Sequence, residues 1–95
     1  MLNKNYKQRL YWLIDQYLLH KIDAWNFCNE YVEYYNHELD TNTLTQREYT
    51  IFSELNTIAA RFSDIAEDLQ KYPGTYFTKK ELDQKIIEIN KQLKR

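Results

Sequence analysis

Pro73 and Gly74 stand side by side, and the chain of 95 residues contains no other proline or glycine. Sheet-rich folds need such turn residues at short intervals, because tight reversals demand a fixed or positive φ. A chain with one such pair can reverse only a few times. It therefore reads as all-α, built from a few long helices with short connections. Apolar residues at 43% and charged residues at 28% belong to a globular chain rather than a disordered one. The length suits a single domain over residues 1–95.

The apolar spacing places four amphipathic helices. The first is expected over about residues 4–20, with Leu10, Leu13 or Ile14, Tyr17 and Leu18 at three- and four-residue intervals. His20, Lys21 and Ile22 form a connector, and Asp23 is placed to cap a second helix over residues 24–37, with Ile22 able to staple against Phe27. Residues 38–44 read as a loop. Thr45 with Glu48 forms a capping box for a third helix, striped by Ile51, Leu55, Ile58 and Phe62. Ile65 and Leu69 extend that helix irregularly to Tyr72, where Pro73-Gly74 ends it. Thr78 with Glu81 is a second capping box, opening a last helix striped by Leu82, Ile86, Ile89 and Leu93. The expected architecture is an antiparallel four-helix bundle.

Catalytic constellations are missing from this pattern. A lone glycine rules out a phosphate-cradling loop. His20, Cys28 and His37 lie too far apart for a paired-ligand metal site, so neither metal nor cofactor is expected. Cys28 follows the apolar position Phe27 and reads as a buried, inert thiol. No disulfide is possible with one cysteine. The N-terminal segment is too interrupted by charge for a leader or a membrane span, and a cytoplasmic protein is expected. The chain is not expected to be an enzyme.

Charge is distributed unevenly behind a net value of −1. Residues 30–68 hold nine acids against Arg47 and Arg61, a balance of −7, while the segments on either side are basic. Such a block disfavours phosphate backbones and favours basic partners. Asp64, Glu67 and Asp68 close the block, next to Tyr72, Tyr76 and Phe77. Late in a helix these acids oppose its dipole, which a sequence shaped for stability alone would avoid. Glu54 lies off the apolar stripe of the third helix. Arg61 is spaced to pair with Asp64 and orient the acids. Glu54, Arg61, Asp64, Glu67, Asp68, Tyr72 and Tyr76 are therefore the candidate partner-binding residues: acids steer, and aromatics anchor.

Several stretches also resemble a known family, the self-protective (colicin D-like) immunity proteins. Tyr11-Trp12-Leu13-Ile14-Asp15-Gln16-Tyr17-Leu18 is similar to the family's opening helix, and Lys21-Ile22-Asp23-Ala24-Trp25-Asn26-Phe27 to its first interhelical turn. Leu44 to Tyr49 with Ile51 to Leu55 resembles the third helix, and Thr78-x-x-Glu81-Leu82 the start of the fourth. The resemblance implies a cytoplasmic helical bundle that binds a cognate nuclease toxin, in particular a ribonuclease that cuts tRNA. Its acids would stand where RNA phosphates would lie. Two other classes fit the residues alone. One is a helical adaptor binding a protein through an aromatic groove. The other is a nucleic-acid-binding regulator using Lys79, Lys80 and Lys85.

Overall fold

The structure, a computed structural model, describes residues 7–93. Within them the chain is all-helical: α1 spans Gln8–Leu18, α2 Ala24–His37, α3 Gln46–Ala60, α4 Ala66–Lys71 and α5 Lys79–Gln92, with a single 3-10 turn at Thr41–Thr43. The expected start of the first helix, at residues 4–6, lies outside the described residues.

Local capping sets three of the starts. The Asp23 carboxylate accepts from the Asn26 amide at 2.8 Å and opens α2. Thr45 and Glu48 close a reciprocal box at α3, and Thr78 and Glu81 do the same at α5. Each satisfies amide donors that a helix start leaves free. The end of α1 is less ordinary. His20 has φ 62°, and its amide bonds to the Tyr17 carbonyl while the Lys21 amide reaches back to Gln16. This is a left-handed helix stop of the kind that glycine usually supplies. It ends α1 two residues before the expected boundary. His20→Gly is expected to be more stable than His20→Ala by about 1 kcal/mol, since both delete the imidazole and only alanine keeps the Cβ strain. Parallel urea titrations of the two variants check this.

The expected apolar stripes do form the core. Leu10, Leu13, Phe27, Tyr31, Phe52, Leu55, Leu82 and Ile86 are fully buried. α2 packs against α1 and α3, and α5 packs against α3 and α1. Cys28 is buried beside Phe27, and that burial pushes its thiol up to about 12. Polar groups tie the helices at the rim. Glu48 on α3 accepts from Lys7 Nζ at 2.9 Å and Tyr11 Oη at 2.8 Å as well as from its own cap. Asp83 on α5 accepts from Tyr17 Oη and from Lys79 Nζ.

These two carboxylates make stability depend on acidity. Partial burial works against both charged forms, but the donated hydrogen bonds outweigh it and hold both groups below their ordinary values of 4.5 and 3.8. Their contribution is complete above those values and fades as pH falls through the lower folded ones. The urea midpoint is expected to decline from about pH 5 to pH 3, less steeply in Glu48→Gln, which has no carboxylate to protonate at that position.

Candidate functional site

The third helix does not continue to Tyr72. It stops at Ala60, and the chain turns out of the helix through Arg61 and Phe62, whose amides bond only three residues back. The cause is a long-range pairing: the Phe77 amide donates to the Arg61 carbonyl at 2.8 Å, and the Ser63 amide donates to the Phe77 carbonyl at 3.0 Å. Phe62 and Phe77 thus form a single parallel bridge. Phe62 is buried, and Phe77 packs partly buried against the core. Residues 63–76 leave the body at this point and return to it. Both ends are fixed, in the manner of compact surface loops that carry function.

Inside the excursion, α4 has no buried residue and is held by polar contacts at its start. Ser63 is 3% exposed; its hydroxyl accepts from the Ile65 amide at 3.1 Å and donates to Asp68 Oδ2 at 3.1 Å. Glu67 and Asp68 lie in the first turn of α4, where acids favour the helix dipole. The expectation that they oppose a helix end is therefore overturned, because the helix they occupy begins there rather than ending. After Tyr72 the chain reverses. The Thr75 amide bonds to the Tyr72 carbonyl at 3.1 Å, with Pro73 and then Gly74 at φ 82° between them. Proline followed by a positive-φ glycine is the requirement of a type II turn. Pro73-Gly74 thus closes α4, not α3. Beyond the turn, Tyr76 meets Tyr72 edge-on at 6.3 Å.

The seven candidate residues separate into distinct positions. Asp64 and Glu67 are exposed on the excursion, with Ile65 and Tyr72 nearly half exposed beside them. Tyr76 is half-buried and buttresses Tyr72. Asp68 is a positioning group, engaged by Ser63. Glu54 lies elsewhere, on α3, and pairs with Lys85 of α5 at 3.5 Å, a link between helices rather than part of the excursion. Arg61 contributes its backbone carbonyl to the base. Among the described residues no ion pair joins its side chain to Asp64, so the expected orienting role is corrected.

One residue at this site had no place among the candidates. Trp25, at the start of α2, is 48% exposed and packs its ring against Phe62 at 6.1 Å. A tryptophan off the apolar stripe, next to a helix cap, is the sequence signal that marks it. Among the described residues no cluster of three or more His, Cys, Asp or Glu side chains converges as a metal site would, and no helix is long and apolar enough to cross a membrane. Comparison with protein-family models, curated proteins and solved structures finds no match to the chain.

Proposed function

We propose that this protein is an immunity-type inhibitor that binds a basic nuclease toxin, a ribonuclease acting on tRNA, and covers its active site from within the cytoplasm. The observation that carries the reading is the excursion 63–76: it carries exposed Asp64, Ile65, Glu67 and Tyr72 on a backbone anchored at both ends. Acids on such a segment attract the lysines and arginines that a nuclease uses to hold phosphates, and the apolar groups supply adhesion. Anchored ends reduce the entropy lost on docking. The stretches similar to the colicin D-like immunity family support the same assignment.

The scaffold in this reading is an antiparallel four-helix bundle of α1, α2, α3 and α5. Short connections favour antiparallel pairing of α1 with α2 and of α2 with α3, and the packing of α1 on α2, α2 on α3, α3 on α5 and α5 on α1 closes a ring. α4 lies outside that ring as the working segment.

The test uses the nuclease domain of the toxin encoded beside this chain. An equimolar amount of the protein is expected to form a 1:1 complex with it and to suppress tRNA cleavage. Undiminished cleavage at tenfold excess overturns the proposal. Tight binding that does not weaken with added salt would instead favour an adaptor that docks through apolar contacts.

A further inference from the structure

Among the described residues one arrangement joins arginine, tryptophan and glutamate, and a cleft elsewhere on α2 is lined by a tryptophan and a glutamate with no cation over the ring. On the α1–α2 face the Arg9 guanidinium sits 4.5 Å from the ring centre of Trp12 and pairs with Glu30 at 3.2 Å. A planar guanidinium suits both partners, stacking on the indole while its edge donates to a carboxylate. Around the same helix, a cleft of about 470 Å³ opens between α2 and the end of α3. Trp25, Asn29, Val32 and Glu33 form its α2 wall, and Ala60 and Phe62 stand opposite. Trp25 and Glu33 thus line one cleft, with small alanines leaving room beside them. Among the described residues no cation lies over Trp25 and none pairs with Glu33.

We propose that this cleft takes an arginine-bearing segment of the toxin, with a guanidinium over Trp25 and Glu33 supplying countercharge along the same wall. The inference rests on the inhibitor reading for its partner and extends the binding surface beyond the excursion. Continuity supports it, since Phe62 is at once the wall of the cleft, the ring against Trp25 and the base of residues 63–76. Charge complementarity supports it as well. Glu33 and Glu38 line the adjoining surface at α2 and its C-terminal end, beside Glu30, which Arg9 pairs. A partner with basic side chains can therefore occupy the cleft and the acids of the excursion together. Tryptophan in a cleft is also the residue type that dominates the energetics of protein interfaces.

Two measurements decide the matter. In a ¹H–¹⁵N titration of the whole protein with hexa-arginine, the Trp25 indole resonance is expected to shift. That of Trp12, already covered by Arg9, stays nearly still, and hexa-lysine moves Trp25 less. In binding to the nuclease domain, Trp25→Ala is expected to weaken affinity roughly thirtyfold. Glu33→Arg, an exposed change that replaces the countercharge of the cleft by a repelling cation, reduces the Trp25 response to hexa-arginine and weakens the toxin complex roughly tenfold. The inference is overturned if hexa-arginine moves Trp25 no more than Trp12, or if both variants bind the toxin as wild type does. A wild-type protein that fails to bind the toxin sinks the inhibitor reading instead, and the hexa-arginine titration then decides the cleft alone.

Discussion

Phe52→Ala is expected to lower the free energy of unfolding by about 3–5 kcal/mol, most of what a domain of this size has to lose. Phe52 is fully buried on α3 and meets the Tyr11 ring of α1 edge-on at 5.3 Å. Its backbone carbonyl accepts the Tyr31 hydroxyl of α2 at 2.9 Å. One position therefore joins three helices, and truncation opens a cavity where they meet. Tyr31→Phe is the contrasting case. It keeps the ring and removes one hydroxyl bond, and the carbonyl retains its helical partner, so about 1 kcal/mol should be lost. Urea unfolding at constant slope measures both. Equal losses in the two variants would mean that the hydroxyl bond, rather than ring packing, joins the helices.

The starts of α2, α3 and α5 were legible because capping is local chemistry: an Asp or Thr oxygen meets an amide two or three residues on, and nothing distant intervenes. The stripes were legible for a similar reason, since the buried residues of each long helix fall at helical spacing. Two boundaries were not. α1 stops at a histidine in a conformation that glycine normally signals, so no letter announced it. The break after Ala60 is set by Phe77, which pairs its backbone with Arg61 and Ser63 from beyond the Pro-Gly turn. Ile65 and Leu69 keep the helical spacing through that break, and periodicity alone reads them as continuous helix.

That boundary governed the functional reading too. With α3 extended to Tyr72, Asp64, Glu67 and Asp68 stood together late in one long helix, all three as partner-binding acids. With the chain leaving the body at Phe62, they are not equivalent. Asp68 turns inward to Ser63 and shapes α4, while Asp64 and Glu67 face outward. Glu54 shows the converse limit. Its place off the apolar stripe was readable from the sequence, but its partner Lys85 belongs to another helix and becomes its neighbour only through folding.

The distinction between these acids sets the second large effect. Asp64→Lys/Glu67→Lys reverses two exposed charges that make no internal side-chain bond among the described residues, and stability should change by less than about 0.5 kcal/mol. Association with the basic nuclease domain should slow roughly a hundredfold at low ionic strength, because steering becomes repulsion. Its dependence on salt should reverse sign, with added salt now speeding the encounter. Asp68→Ala should behave differently. Losing the Ser63 contact leaves a buried hydroxyl without its acceptor and loosens the start of α4, so faster amide exchange across residues 65–72 precedes any change in steering. Stopped-flow association at several salt concentrations, set beside hydrogen exchange of the free variants, separates the two roles. If the double reversal leaves the association rate and its salt slope unchanged, residues 63–76 are not the surface that meets the toxin. If Asp68→Ala alters steering as strongly while exchange stays unchanged, Asp68 faces the partner and not Ser63.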